Sequence, residues 1–327
     1  MRFASVAPWA VTALAAAAGA ALAVAVLVAP APTADAAPSA PAATDTGGVA
    51  PAADSDVRRS GAPENTTVYD GAALAQIDVW SVNPALPVDD DPFGPLAGEL
   101  AQPLGSAPIF ADPAGQPIGF LPREAAYGGT IVPVITRDDH WVKVMLAGRQ
   151  GVPPDGNPAQ VVGWLRIADV ELTPVTSFVE VHLAEHTIDI VSANGRERVA
   201  SDFSWGKSAT PTPIGRTFVM LTRVVPEFEY TLGHPLVYLG VQSPAMAGFD
   251  GGEVAVTAFH YYRVRSGANS FGCIYLDGPA TDRLAQLPAG TPVIINPSAS
   301  PLVLSDLRGG VDGIPHVQTG ENYDSRA

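Results

Sequence analysis

From Leu74 onward the chain is a succession of short apolar runs cut by proline and glycine, and that punctuation rules out long helices through residue 174. The runs are Ala107-Pro108-Ile109-Phe110, Ile118-Gly119-Phe120-Leu121, Thr130-Ile131-Val132-Pro133-Val134-Ile135, Trp141-Val142-Lys143-Val144-Met145-Leu146 and Val161-Val162-Gly163-Trp164-Leu165. Turn residues such as Asp112-Pro113-Ala114-Gly115 separate them. With 32 glycines and 32 prolines in 327 residues, the expected class is mainly β. Residues 74–173 are expected to form a small β-barrel module. Trp141 and Trp164 are read first as core residues and second as contact residues.

Thr173-Pro174 marks a boundary, and a second globular segment is expected over residues 176–297. Phe178-Val179-Glu180-Val181-His182-Leu183 and Thr187-Ile188-Asp189-Ile190-Val191 alternate apolar and polar, as paired strands joined near Ala184-Glu185. Asn194-Gly195 supplies a second turn. His182-Leu183-Ala184-Glu185-His186 matches an inverted zinc-peptidase pattern, which needs a helix to bring both histidines to one metal. On a strand, residues four apart are separated by about 13 Å, so no metal is expected. Thr210-Pro211-Thr212-Pro213-Ile214-Gly215 forces an extended path and a turn before a strand at residues 217–221. Residues 222–252 read as a long irregular connection, a lid or substrate wall, carrying Phe228, Tyr230, Tyr238 and Phe249. A short helix over residues 277–287 and a last strand at residues 291–295 follow.

The two ends read differently. Arg2 precedes an uncharged Ala/Val/Leu-rich run and the small-x-small site Ala34-Asp35-Ala36, so residues 1–36 have the layout of a signal peptide or an uncleaved membrane anchor. Residues 37–73, rich in Ala and Pro, are expected to be a disordered linker, and residues 298–327 a tail at most partly ordered. A net charge of −15 argues against nucleic acid as a partner and suits an exported protein. Nothing in the pattern demands an oligomer.

Export sharpens the meaning of Cys273, the only cysteine in the chain. It cannot pair within the chain, so it is inert and buried, paired with another molecule, or reactive. It lies in Ser270-Phe271-Gly272-Cys273-Ile274-Tyr275-Leu276, thirteen residues after His260, which ends the strand-like run Val254-Ala255-Val256-Thr257-Ala258-Phe259. An imidazole next to a thiol raises its thiolate fraction, and Gly272 permits backbone N–H groups to approach a developing oxyanion. No acidic residue flanks His260, so any third member is expected to be a backbone carbonyl.

In this order, Thr-Pro-Thr-Pro-Ile-Gly at residues 210–215, His260, and Ser270-x-Gly272-Cys273-Ile274-x-Leu276 followed by a helix and Gly290-Thr291-Pro292-Val293 resemble the L,D-transpeptidase family with its YkuD-type catalytic domain. The segment before it resembles a bacterial Src-homology-3-type barrel. The resemblance implies a mostly β, sandwich-like catalytic domain with one short helix after the nucleophile. It implies peptidoglycan stem peptides as partners and neither metal nor cofactor. It also implies that Cys273 is the nucleophile, His260 the general base and acid, and Gly272 an oxyanion-hole backbone donor. Ser270, Tyr261, Phe271, Tyr275, Arg263 and Arg265 are the substrate-binding candidates. The implied reaction is a 3→3 cross-link made through a cysteine acyl-enzyme with release of D-alanine, in the cell envelope. An L,D-carboxypeptidase, or a catalytically weak or inactive wall-binding protein, are the alternatives on the same scaffold. The chain departs from the family pattern at Phe271, usually histidine, at Tyr261, usually small, at Tyr275, often Arg or Asn, and in a short spacing from His260 to Cys273. Arg263 and Arg265 are the expected substitutes for the carboxylate contact that Tyr275 cannot make.

Overall fold

The computed structural model describes residues 61–297. The expected signal or anchor, most of the linker and the tail lie outside the described residues. Among the described residues no helix is long and apolar enough to cross a membrane.

The structure is mainly β, as expected, in two sheets. The first contains β1 (Glu99–Pro103), β2 (Ala107–Phe110), β3 (Pro117–Leu121), β4 (Val132–Arg137), β5 (Trp141–Leu146), β6 (Val161–Arg166) and β7 (Val170–Pro174). They are ordered β3-β2-β6-β5-β4-β1-β7, with every pairing antiparallel. Trp141 is fully buried, edge-on to Phe110 at 5.1 Å, and its indole N–H donates to the Pro63 carbonyl at 2.9 Å. Arg166 donates to the carbonyls of Asn65 and Thr67, and Tyr69 meets Phe110 edge-on at 5.7 Å. Residues 63–69, expected to belong to the linker, therefore lie against this sheet, because their carbonyls satisfy donors that burial would otherwise strand.

The second sheet holds β8 (Ser177–His182), β9 (Thr187–Ser192), β10 (Gly195–Ala200), β11 (Ser204–Gly206), β12 (Gly215–Arg223), β13 (Leu236–Gln242), β14 (Val256–Tyr261), β15 (Gly267–Ser270), β16 (Ile274–Leu276) and β17 (Pro292–Asn296). The order is β10-β9-β8-β17-β12-β13-β14-β16-β11-β15. The hairpin between β8 and β9 turns at residues 183–186, where His186 adopts φ 55°, so the two histidines of the zinc-like pattern sit across a turn. One α-helix, α1 (Gly278–Leu284), follows β16, with the Asp277 carboxylate capping it through the Ala280 N–H at 2.8 Å.

Alternation along the strands builds two cores from one sheet. Val179, Val181, Val219, Val237, Leu239, Phe259, Ile274, Leu276, Val293 and Ile295 point to one face, where Ala280 and Leu284 of α1 join them. Phe178, Val191, Phe218, Met220 and Ile294 point to the other, into a core shared with Val132, Val134, Val142, Val144 and Leu165 of the first sheet. The interface also carries a buried ion pair. The guanidinium of Arg216 on β12 meets the Asp89 carboxylate twice, at 2.7 and 2.8 Å, and donates to the Pro95 carbonyl at 2.7 Å. Strand β13 departs from the expected irregular connection over residues 222–252. Leu236-Val237-Tyr238-Leu239-Gly240-Val241 is occupied on both faces, so it shows no alternation to read.

Candidate active site

Strands β14 and β16 run parallel and in register, with Phe259 opposite Ile274 and His260 opposite Tyr275. Residues 256, 258 and 260 therefore share a face with 273 and 275. That face, continued by Leu236 and Tyr238 of β13, floors a cleft of about 480 Å³. Phe228, Tyr230, Met246, Phe249, Asp250, Tyr262 and Phe271 wall it. Cys273 and His260, thirteen residues apart in the chain, line the same cleft because parallel pairing places their strands side by side.

Cys273 is 9% exposed, and its sulfur lies 4.0 Å from the Val256 carbonyl. Burial pushes the thiol up to about 11, against a weaker downward pull from a backbone hydrogen bond to Ala258. His260 is also buried, and loss of hydration lowers its value below 6.5, opposed by its hydrogen bond to Tyr261. Its Nδ1–H donates to the Tyr261 carbonyl at 2.9 Å, which leaves Nε2 as the acceptor. This is the backbone-carbonyl partner the sequence leads one to expect. Around the imidazole, Tyr275 packs at 4.8 Å and Tyr230 at 5.7 Å, and Tyr262 lies against both tyrosines at 4.6 and 5.8 Å. Burial, then the neighbouring Cys273 sulfur, pushes Tyr230 and Tyr275 up to about 12, so both phenols are neutral donors at any ordinary pH.

The turn presenting Cys273 is closed by Ser270, which is fully buried. The hydroxyl donates to the Cys273 carbonyl at 2.5 Å and accepts the Gly272 N–H at 3.1 Å. Gly272 has φ 113°, a region that favours glycine. Two groups of the Thr-Pro-Thr-Pro segment and its approach hold the turn from outside. The Lys207 N–H and the Thr210 hydroxyl both donate to the Ser270 carbonyl, at 3.1 and 3.2 Å, and Thr212 Oγ1 accepts the Gly206 N–H at 2.9 Å.

The other expected site residues divide. Phe271 and Tyr275 line the cleft, and Phe271, half exposed, lies under the Lys207 ammonium at 4.4 Å. Tyr261 contributes its carbonyl, while its ring stacks on His234 at 5.1 Å outside the cleft lining. Arg263 and Arg265 line a different cavity, with Asp202 and Asp277, rather than the one holding the thiol. Ser270 faces the turn, and the Gly272 N–H expected for an oxyanion is engaged by the Ser270 hydroxyl in this state. Sequence reading noted Phe228, Tyr230, Tyr238 and Phe249 as a wall but missed Tyr262, Met246 and Asp250. For Tyr262 the signal was present, as the next even-numbered residue after Val256, Ala258 and His260.

No family model and no curated protein matches the chain. Among solved structures, it is similar to an L,D-transpeptidase from Mycobacterium smegmatis at 14% identity, covering 48% of this chain and 91% of that one, with a TM-score of 0.28. It is similar to the catalytic domain of the E. faecium L,D-transpeptidase at 19% identity, over 37% of this chain and 97% of that one, with a TM-score of 0.25. L,D-transpeptidase 1 of Mycobacterium tuberculosis matches at 16% identity, over 43% and 83%, with a TM-score of 0.26. At such scores these similarities do not bear on the chemistry of the cleft.

Proposed function

We propose that the protein is an exported L,D-transpeptidase that joins peptidoglycan stem peptides by 3→3 cross-links. The observation that carries this reading is the sharing of one cleft face by the lone thiol and a histidine whose Nδ1 is committed to the Tyr261 carbonyl. A neutral imidazole with a free acceptor nitrogen is the form a general base requires. The Ser-x-Gly-Cys turn and its Thr-Pro-Thr-Pro support agree with the family resemblance in the sequence.

In the proposed reaction, His260 takes the Cys273 proton as the sulfur attacks the carbonyl that joins the third stem residue to its terminal D-alanine. The C–N bond then breaks, the imidazolium returns its proton to the departing amine, and a thioester remains on Cys273. The side-chain amine of a second stem attacks the thioester, forming an amide and regenerating the thiol. Water in place of the amine gives a carboxypeptidase. General base help of this type contributes about 10²–10⁴-fold. For Gly272 to donate to the oxyanion, its N–H must leave the Ser270 hydroxyl.

Two observations favour a second reading, a weakly catalytic stem-peptide-binding protein. The thiol is pushed up to about 11, and among the described residues Asp250 is the only carboxylate or basic side chain other than His260 in the cleft lining. Purified protein with tetrapeptide muropeptides separates the readings by mass spectrometry. A dimer lighter by one D-alanine is expected, and a tripeptide indicates hydrolysis. Tight binding with neither product, unchanged in Cys273→Ala, supports the binding protein and overturns the transpeptidase.

A further inference from the structure

One wall of the cleft is fastened from the end of the first sheet. Residues 243–255 leave β13 and return to β14, and they contribute Met246, Phe249, Asp250 and Val254 to the cleft. The excursion is closed at its base by the Ser243 N–H on the Ala255 carbonyl at 2.7 Å, and the Ala245 N–H donates to the Ser243 hydroxyl at 3.3 Å. Phe249 N–H donates to the Val254 carbonyl at 3.1 Å and Gly252 N–H to the Phe249 carbonyl at 2.8 Å, and the tip passes through Asp250 at φ 49° and Gly251 at φ 80°. Asp250 and Gly251 form a positive-φ turn closed by the Gly252 N–H on the Phe249 carbonyl, a conformation that an Asp-Gly pair adopts readily, so the tip shapes itself while the limbs do not.

Arg149 ties the two limbs of this excursion together from outside it. This residue follows β5, at the end of the first sheet, and is 1% exposed. Its backbone is pinned on both sides, its N–H donating to the Ser81 carbonyl at 2.9 Å and its carbonyl accepting the Asn83 N–H at 3.0 Å. Its guanidinium crosses to the excursion. Nη1 donates to the Ala247 carbonyl at 3.0 Å and reaches the Met246 carbonyl at 3.5 Å, and Nη2 donates to the Glu253 carbonyl at 2.8 Å. These contacts span both limbs of the loop, and Nε is buried without a hydrogen-bond partner. The root of the loop is held from the same side, where Gln242 donates to the Val79 carbonyl at 2.8 Å and accepts the Ala255 N–H at 3.0 Å. Burying a guanidinium against carbonyls alone is expensive, so simple packing between the sheets is better served by an apolar side chain.

We propose that Arg149 is a positioning residue that fixes the 243–255 wall, so that the first sheet sets how tightly the cleft holds its substrate. It touches neither the thiol nor the imidazole and acts only through the wall. The substrate half of this inference rests on the stem-peptide reading above, and the wall half does not.

The test uses the full chain with Arg149→Met and Arg149→Lys. Hydrogen exchange followed by mass spectrometry is expected to show at least tenfold faster exchange confined to residues 243–255 in Arg149→Met, with β12, β13 and β17 unchanged. Arg149→Lys, which keeps one charged donor, is expected to fall between. With tetrapeptide muropeptides, KM is expected to rise about tenfold in Arg149→Met while kcat changes less than twofold, the split expected when binding alone is lost. Unchanged exchange in the loop overturns the proposal, as does faster exchange spread over both sheets in both variants. Absence of turnover in the parent protein sinks the stem-peptide reading and leaves the exchange result to decide the role of Arg149.

Discussion

Burial holds Cys273 as a thiol and His260 as a neutral imidazole, so the resting site is an uncharged pair rather than an ion pair. The proton must then move during attack. Stability follows from the same shifts. The folded thiol keeps its proton to about 11 against an ordinary 9.0, so its contribution is complete below pH 9.0 and fades as pH rises toward 11. His260 acts at the other end. Its value is lowered from 6.5, so the unfolded chain takes up the proton first and stability declines as pH falls below 6.5. Alkylation of the native protein by iodoacetamide checks the thiol. Labelling is expected to be slow at pH 7 and to climb up to about pH 11. A plateau already reached by pH 8 contradicts a thiol raised by burial.

At the scale of elements, the parallel pairing of β14 and β16 and the closed turn between β15 and β16 create the site. Ser270 is the keystone of that turn, and its hydroxyl satisfies one buried donor and one buried acceptor. Ser270→Ala is expected to lose about 1–3 kcal/mol, read from the denaturant midpoint, with faster labelling of Cys273 as the turn loosens. A loss below about 0.5 kcal/mol means the turn closes without the hydroxyl. Much of this was legible in sequence. Alternation announced β8 and β9, the proline-glycine pattern announced the turn before β12, and the short helix expected over residues 277–287 contains α1. What stayed hidden has physical causes. Strand β13 is filled on both faces and shows no period. Arg263 and Arg265 lie near His260 in sequence, but the chain leaves the sheet after β14 and carries them to another cavity. The partnership of Arg149 with residues about a hundred positions away leaves no local signal.

Over the whole molecule, the face of the second sheet that carries the thiol is also the face covered by the first sheet. Phe218, Met220 and Ile294 pack under the first sheet, while Ala258, His260 and Cys273 line the cleft. The two sheets are therefore expected to unfold together. Asp89→Ala leaves the Arg216 guanidinium buried without its carboxylate and is expected to cost about 3–5 kcal/mol. Replacing both residues by leucine is expected to cost less than the single change, since no charge is left stranded. Denaturant unfolding followed by tryptophan fluorescence and circular dichroism checks this. Two separate transitions in the parent protein contradict the shared core.

The central claim is that Cys273 carries the stem peptide as a thioester. Intact-protein mass spectrometry after rapid mixing with a tetrapeptide donor tests it directly. The account predicts a mass increase equal to the donor less D-alanine, located on the peptide containing Cys273, absent in Cys273→Ala and discharged on adding an acceptor amine. Product formation with no such adduct, or equal product from Cys273→Ala, contradicts it.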